Sequence, residues 1–350
     1  MSAEPEPDGP IEMETVACGL CGSTDSRVEL RAPDHLHHVP GLFTIVRCTR
    51  CGLAFQNPRP RFDQVGRLYP DAYGPHQDAR PPDDLPPLTR WGRTIERAAA
   101  SRYYGPLSEA KGGGGRAGLP SLWVLAARVL QLPVLPPNEA RAQGPSRVLD
   151  IGCSTGRFLA HMKSWGWDVQ GVEPDSTAAG RAQALFGVPV VNEAFGRGLF
   201  EPESLALVTM WNVLEHLPDP LDSLSEVTRL LRPGGWFVAQ VPNLKSLEVR
   251  LAGDKAFQLD LPRHFYHLEA ATLSALVTKA GLRPARIVYP VEPFSLYMSL
   301  GRMLKAFRRP PSSRGGIWLQ RLLWPLCAIL SWSGSGAQMA VLATKPVGAE

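Results

Sequence analysis

The stretch VLDIGCSTG, residues 148–156, is the part of the sequence that decides the fold. An apolar run leads into a turn that contains two glycines, and the next ten residues, RFLAHMKSWG, have the pattern of a helix. A strand, a tight turn and a helix in this order build the nucleotide-like ligand sites of α/β proteins. The stretch therefore predicts a ligand crevice at the end of a buried strand.

Strand and helix patterns alternate through the rest of this region. The apolar segments DVQGVEP, VPVVNEA, SLALVTMWNV and WFVAQVPN read as strands, and helical patterns separate most of them. ARIVYP and AQMAVLATKP add two later strands, and the helix STAAGRAQALFG has Ser176 as its expected cap and Gly187 at its end. The alternation predicts an α/β fold over residues 141–346, with a doubly wound, mostly parallel sheet of seven strands.

The composition is that of a globular protein, with 44% hydrophobic and 20% charged residues among 350. The first fifteen residues are acidic and contain no apolar core, and no apolar run reaches 18 residues. These features predict a cytoplasmic protein with no signal peptide and no transmembrane span. The net charge of +4 is concentrated in the tail, because residues 283–350 contain nine basic and two acidic side chains.

Four of the six cysteines form two Cys-x2-Cys pairs, Cys18 with Cys21 and Cys48 with Cys51, and a glycine follows each pair. Tight turns of this kind aim two thiolates at one point, so the pairs predict a tetrahedral zinc site. Two disulfides are the alternative, which a reducing compartment disfavours. We expect a zinc-ribbon-like module at residues 1–60, followed by a proline- and glycine-rich linker with short helices at residues 61–140.

The acidic residue in the first turn indicates which ligand the crevice takes. A dinucleotide site carries glycine at the position of Asp150, because its pyrophosphate approaches the backbone there. The carboxylate of Asp150 would repel a pyrophosphate and favours a cationic amine, as in S-adenosylmethionine. Gly152 and Gly156 let the backbone pass close to that ligand, and Glu173, at the end of the second strand, suits the ribose hydroxyls.

VLDIGCSTGRFL, GVEPD and WNVLEHLPDPLDSLSEVTRLLRPGGWFVAQVPN resemble the successive motifs of class I S-adenosylmethionine-dependent methyltransferases, over about residues 146–346. The N-terminal cysteine pairs, NPRP and DLPRHFYHLEAATL resemble a bacterial subgroup that acts on small molecules or sugar-derived substrates. The resemblance implies that the first turn lines the methionine end of the cofactor, through Asp150, Gly152, Cys153 and Gly156. It implies that Glu173, at the end of the second strand, binds the ribose. It also implies that Asn212 and Val213 flank the cofactor after strand four.

Methyl transfer to an oxygen, nitrogen or carbon acceptor can need a base, and the candidates lie in loops beyond the strands. His264 and His267 in DLPRHFYH are the leading candidates, and His216 in EHLPDP is the next. The alternative is structural: the first loop is held by its own salt bridge and caps, and the second packs against and caps the following helix. Cys153 is interpreted as a packing residue.

Residues 294–332 are predicted to form a helical insert before the last strand. The segment is basic, aromatic and apolar, with Arg321 beside Trp318 and Trp324. Two interpretations stay open. The insert lies on an anionic membrane surface or covers an amphiphilic substrate, or it packs as a flap on residues 121–132 with its arginines solvated.

The sequence predicts an enzyme that transfers a methyl group from S-adenosylmethionine to a small-molecule acceptor. Sugar-derived, glycan and secondary-metabolite intermediates are the expected classes, and the basic tail favours a phosphate-bearing or amphiphilic one. The alternative is an RNA or protein methyltransferase that docks through the zinc module. Residues 1–60 carry five basic and eight acidic side chains, which makes nucleic acid an improbable partner.

Overall fold

The computed structural model describes residues 11–69, 146–304 and 313–348. The helices expected at 91–110 and 121–132 and the glycine-rich break at 111–118 lie outside the described residues. The contact expected between the helical insert and residues 121–132 also lies outside the described residues.

The described residues form two principal sheets and seven α-helices. The N-terminal strands are β1 (Met13–Glu14), β2 (Ser26–Ala32), β3 (Phe43–Cys48), β4 (Ala54–Gln56) and β5 (Arg59–Pro60). The later strands are β6 (Arg147–Ile151), β7 (Asp168–Val172), β8 (Val190–Val191), β9 (Leu205–Trp211), β10 (Leu231–Pro242), β11 (Tyr266–His267), β12 (Arg283–Val288) and β13 (Gln338–Thr344). The helices are α1 (Arg157–Ser164), α2 (Ser176–Phe186), α3 (Pro220–Leu230), α4 (Leu247–Ala252), α5 (Ala270–Lys279), α6 (Pro293–Leu304) and α7 (Arg314–Trp332).

The large sheet has seven strands in the order β12-β13-β10-β9-β6-β7-β8. β6 to β10 run parallel to one another, and β13 is antiparallel to both β10 and β12. β6 and β9 are buried along almost their whole length, as the continuous apolar patterns require. The predicted doubly wound, mostly parallel sheet is confirmed.

The start of α2 differs from the sequence prediction. The cap is Asp175 rather than Ser176, and its carboxylate accepts a 2.7 Å hydrogen bond from the backbone N–H of Ala178. The helix begins one residue earlier than expected because a carboxylate satisfies that N–H and also favours the positive end of the helix dipole. Gly187 ends the helix in the left-handed conformation, at φ +57°, as predicted.

The N-terminal segment shares a sheet with the region that contains β6–β13. The order of this second sheet is β11-β4-β3-β2, so a strand formed by residues 266–267 completes the sheet of the cysteine-bearing segment. Leu20, Leu53 and Phe55 also belong to the same buried cluster as the core of the large sheet. The sequence suggested a module contained within residues 1–60, but its last strand comes from a residue pair some 200 positions later.

The predicted helical insert corresponds to α6 and α7, which lie between β12 and β13. The two helices pack against each other, and α6 also contacts α4. Among the described helices, none combines the length and the apolar character needed to cross a bilayer.

Candidate active site

The first turn follows β6 and depends on glycine at two points. Gly152 has φ +69°, and a Cβ atom there would lie 2.5 Å from Cγ2 of Val213. Gly156 has φ +74°, and its Cβ would lie 2.7 Å from that of Ala182 in α2. The turn therefore excludes any side chain at either position. It also brings together two residues that the sequence assigned to the cofactor separately, Gly152 and Val213.

Asp150 lies beneath this turn, and its carboxyl group points between the strands. The residue is 1% exposed, and its Oδ1 accepts a 2.6 Å hydrogen bond from the hydroxyl of Thr209, its partner in β9. Burial, with a further contribution from Glu173, raises the pKa of Asp150 to about 8. The sequence placed this carboxylate at the mouth of the crevice, and the strand register adds Thr209 as its partner. Its contact with the cofactor stays a prediction.

Glu173 follows β7 and connects the first turn to the start of α2. Its two carboxylate oxygens accept hydrogen bonds from the backbone N–H groups of Ser154, at 2.8 Å, and Asp175, at 3.0 Å. These bonds hold the carboxylate beside the first turn, and its predicted ribose-binding role stays a prediction. Ser154 itself has φ +47°, a left-handed conformation rare outside glycine, which sequence reasoning did not find.

Two further predicted cofactor residues lie at the same edge of the sheet. Asn212, directly after β9, is exposed and has φ +54°, a conformation that asparagine adopts more readily than most residues. Cys153 is 5% exposed, and its Sγ packs so close to Gly171 that a Cβ there would lie 2.4 Å away. Burial raises the pKa of the Cys153 thiol, so the interpretation of Cys153 as a packing residue rather than a nucleophile is consistent with its surroundings.

This edge of the sheet suits an adenosine-bearing amino-acid ligand. Two glycine positions in the turn allow close approach to the backbone, and the Glu173 carboxylate lies next to the turn. The acidic side chain and the absence of a basic side chain in the turn favour hydroxyl and ammonium groups over a pyrophosphate. The residues present thus fit S-adenosylmethionine.

A polar cluster lies next to Val213, at the ends of β9 and β10. It consists of Glu215, His216 and His264, whose ligand-capable atoms lie within 4.8 Å of one another. The rings of His216 and His264 are in edge-to-face contact, with centroids 4.6 Å apart. These three residues offer the two imidazoles and one carboxylate that could also hold a metal ion.

Glu215 is the most unusual member of the cluster. It is fully buried, and neither carboxylate oxygen accepts a hydrogen bond from any residue in the described part of the chain. Burial, with a further contribution from the nearby Asp260 carboxylate, raises its pKa to about 8. The sequence did not indicate Glu215 as a site residue, because no short pattern shows that a glutamate beside a histidine is buried.

The two cluster histidines are oriented by backbone carbonyl groups. The Nδ1 of His264 lies 3.0 Å from the carbonyl oxygen of Gln258, and the Nδ1 of His216 lies 3.0 Å from that of Arg263. Because a carbonyl oxygen only accepts, each Nδ1 carries the hydrogen and each Nε2 keeps a free lone pair. Burial lowers the pKa of His264 to about 4 and that of His216 to about 3, so both are neutral near pH 7.

His267, the third predicted base, lies in β11 and is 4% exposed. Its Nε2 is buried and has no hydrogen-bond partner in the described residues, and its ring centroid is 6.4 Å from that of His264. Burial lowers its pKa to about 3. The structure thus brings His216 and His264 together and leaves His267 outside their cluster. A base role for any of the three stays a prediction.

Arg263 fixes the loop that carries His264 and His267. Its guanidinium is fully buried, donates two 2.9 Å hydrogen bonds to the carboxylate of Asp34 and contacts Asp260 at 2.6 Å. The salt bridge within the loop was the structural alternative that the sequence left open. Asp34, 229 residues away in the chain, is a second partner that no local pattern could reveal.

The four cysteines form a compact cluster of free thiols. The Sγ atoms of Cys18 and Cys51 are 3.4 Å apart, those of Cys21 and Cys48 are 3.5 Å apart, and all four lie within 4.8 Å of one another. A disulfide needs about 2.05 Å, whereas four thiolates on one zinc ion stand close to the observed separations.

The two cysteine turns have the same local structure. The backbone N–H of Gly22 bonds to the carbonyl of Cys18, and that of Gly52 bonds to the carbonyl of Cys48. Both glycines have positive φ angles, +74° and +78°, which explains why glycine follows each pair. The cluster therefore has the geometry of two zinc knuckles.

Comparison with known proteins locates the family in the same part of the chain. The family model described as "Methyltransferase domain" matches residues 125–286. The chain is 33% identical over 162 residues to the ubiquinone biosynthesis O-methyltransferase of Burkholderia pseudomallei, a match that spans 43% of this chain and 70% of that protein. The enzyme of the same name from Paraburkholderia phymatum is 33% identical over 153 residues, which is 40% of this chain and 66% of that one.

Among solved structures, the chain is similar to a possible histamine N-methyltransferase from Thermotoga maritima, with a TM-score of 0.41 and 20% identity over 59% of this chain and 87% of that one. The family assignment rests on the sequence matches and agrees with the strand order described above. This chain belongs to the S-adenosylmethionine-dependent methyltransferases.

Proposed function

We propose that this methyltransferase acts on a hydroxyl group of a small molecule. The observation that carries the proposal is the cluster of Glu215, His216 and His264, of which the first two lie two and three positions after Val213, the residue packed on the glycine of the first turn. This connection supports two unprotonated imidazole nitrogens near the predicted cofactor crevice. Relatives named as O-methyltransferases of ubiquinone biosynthesis support an oxygen acceptor on a small molecule.

S-adenosylmethionine, when bound, supplies an activated methyl group, so the protein mainly positions the acceptor and accepts its proton. The Nε2 of His264 lies 3.8 Å from an oxygen of Asp260 and 4.0 Å from one of Glu215. A proton accepted there would be stabilised by the Asp260 carboxylate, while the Nδ1–H bond to the carbonyl of Gln258 holds the ring in place. The same reasoning applies to His216, whose ring contacts that of His264.

RNA or protein methylation, with the zinc module as the docking element, is the alternative function. It has less support, because residues 1–60 carry five basic against eight acidic side chains. Binding to a polyanion requires the opposite balance on the docking surface.

Cofactor binding and methyl transfer can be tested in sequence. Calorimetric titration should show binding of S-adenosylmethionine and of its demethylated product, and incubation with small-molecule hydroxyl compounds should give products 14 daltons heavier. Failure of both ligands to bind would contradict the cofactor assignment. Binding of both, with methylation of RNA or protein but of no small molecule, would contradict the acceptor class alone.

We further propose that Cys18, Cys21, Cys48 and Cys51 hold one structural zinc ion, which supports the loop at the acceptor end of the site. The support is the thiol cluster and the shared sheet, in which β11 pairs with β4 just after the second knuckle. Metal analysis should find one zinc per chain. The Cys48→Ser variant should lose it and unfold at a lower temperature.

Cys327→Ser is the matched control, because Cys327 is also buried and free but lies in α7. It should retain the zinc ion. Full thermal stability of the metal-free protein would argue against a structural role.

A further inference from the structure

Helix α7 exposes several of its large apolar residues on one face. Trp318 is 70% exposed, Leu322 75%, Ile329 63% and Trp332 85%. On the opposite side, Gly316 and Cys327 are buried and Ser331 is half-buried, with its hydroxyl bonded to the carbonyl of Tyr289. A helix on the surface of a protein that meets only water shows the reverse arrangement.

The exposed apolar residues form one continuous stripe. They recur three or four positions apart, which is the spacing of a single helix face, and the stripe extends for about 21 Å at about 1.5 Å per residue. Its members are Trp318, Leu322, Pro325, Leu326, Ile329 and Trp332. Since a large aromatic side chain carries about 150–250 Å² of surface, the two tryptophans alone approach the size of the largest apolar patch on a typical soluble monomer.

The sequence that leads into and forms the stripe is basic. No acidic residue occurs between Glu292 and Glu350, whereas six basic residues occur between positions 302 and 321. Among those whose side chains the structure describes, Arg302 is half-buried with its guanidinium over the ring of Phe257, and Arg321 is exposed. Arg321 flanks the stripe, with its guanidinium 5.9 Å from the ring centroid of Trp318. An apolar stripe with tryptophan at both ends and arginine beside it complements a surface that is anionic outside and apolar a few ångströms below.

We propose that α7 docks this protein on an anionic phospholipid bilayer, lying in the plane of the interface with Trp318 and Trp332 buried among the acyl chains. The helix binds without crossing, since none of the helices that the structure describes can span a membrane. Its packed face, which contacts α6, stays attached to the protein, so docking requires no unfolding. The proposal goes beyond the methyl-transfer reaction and does not depend on the identity of the acceptor.

Sedimentation of the full-length protein with vesicles tests this proposal. The protein should co-sediment with vesicles of phosphatidylcholine that contain about a third phosphatidylglycerol, and bind much more weakly to pure phosphatidylcholine. Moderate salt should weaken the binding, because arginine and lysine charges are screened within a Debye length of about 8 Å at physiological ionic strength.

The double variant Trp318→Gln/Trp332→Gln should lower the vesicle partition coefficient at least about tenfold, which corresponds to about 1.4 kcal/mol. Leu42→Gln is the matched control, because Leu42 is 63% exposed but lies in the N-terminal sheet region, and it should bind like the wild type. Arg321→Gln should reduce binding to the anionic vesicles only. All variants should keep the wild-type unfolding temperature, since the replaced side chains are on the surface.

Three results would overturn the proposal. The first is no binding to the anionic vesicles, and the second is equal binding by the wild type and the double variant. The third is a dimer in vesicle-free solution that the double variant dissociates, which would make the stripe an interface between copies of this chain.

Discussion

The candidate site has a cofactor end, at Glu173 and the turn after β6, and an acceptor end, at Glu215, His216 and His264. The buried carboxyl groups of the two ends differ in their hydrogen bonding. At the cofactor end, buried carboxylates have local partners: Glu173 accepts two backbone hydrogen bonds and Asp150 accepts one from Thr209. At the acceptor end, Glu215 is equally buried, yet the described residues offer it no hydrogen bond. The first end is complete without a ligand, whereas the second retains uncompensated polar groups.

The difference shows at which end of the site a ligand can compensate a buried polar group. A satisfied carboxylate holds the backbone of the turn in its left-handed conformations and so preorganises it for one fixed cofactor. An unsatisfied carboxylate beside two neutral imidazoles costs stability until a proton, a cation or an acceptor group compensates it. Burial raises the pKa to about 8 at both Asp150 and Glu215, so it is the lack of a hydrogen bond to Glu215 within the described residues that favours the acceptor end as the place of chemistry.

The largest effect is expected from the histidines of the acceptor end. His216→Asn and His264→Asn should each be assayed with the hydroxyl compound that gives a product 14 daltons heavier. The variant that lacks the base should lose about 10²–10⁴-fold in kcat, with a smaller change in KM. His161→Asn in α1 is the control and should stay near wild-type activity. Losses below about threefold in both variants would show that the acceptor end supplies no base and that its buried cluster has a structural role only.

The next largest effect is expected from removal of the buried guanidinium of Arg263. Arg263→Met leaves the Asp34 and Asp260 carboxylates without their shared cation, and we expect a loss of about 3 kcal/mol in the free energy of unfolding. Urea denaturation measures it. Arg61→Met breaks the fully exposed pair with Asp63 and should leave the stability within error. Equal stability of both variants would contradict the dependence of the acceptor end on the N-terminal sheet.

A side chain introduced at Gly152, in the first turn, tests the cofactor end of the site. Gly152→Ala places a Cβ 2.5 Å from Val213 at a positive φ angle, and we expect the dissociation constant for S-adenosylmethionine to rise about tenfold or more. Adding Val213→Ala should restore part of the affinity, since it removes the clash and leaves the backbone strain. Gly180→Ala, whose Cβ meets nothing within 4 Å, is the control and should bind normally.

The smallest effect concerns pH. Because burial lowers the pKa of His267 from 6.5 to about 3, the folded protein gives up this proton more readily than the unfolded chain. The stability that His267 contributes is therefore complete above pH 6.5 and is lost as the pH falls from 6.5 towards 3, at about 1.4 kcal/mol per pH unit. His267→Gln should show a correspondingly shallower decline of unfolding free energy between pH 6.5 and 5. An unchanged slope would mean that His267 is not buried as a neutral imidazole.

Much of the cofactor end could be predicted from the sequence, because each of its parts is local. The turn after β6 is encoded by the two glycines of VLDIGCSTG, and the knuckles are encoded by Cys-x2-Cys-Gly. Even here the direction of the Asp150 side chain could not be predicted, since it depends on the register that sets Thr209 opposite it. The cap of α2 was also assigned one residue too late.

The sequence by itself determined the order of strands and helices, the glycine turns and the thiol pairs, because backbone conformation and hydrophobic period act over a few residues. Only the tertiary structure decided that Asp34 pairs with Arg263, that β11 completes the N-terminal sheet and that Glu215 is buried without a hydrogen-bond partner in the described residues. It also decided that α7 exposes Trp318 and Trp332. These features join residues distant in the chain or depend on which helix face is covered. Burial and electrostatic pairing follow from distance in space, which no short pattern contains.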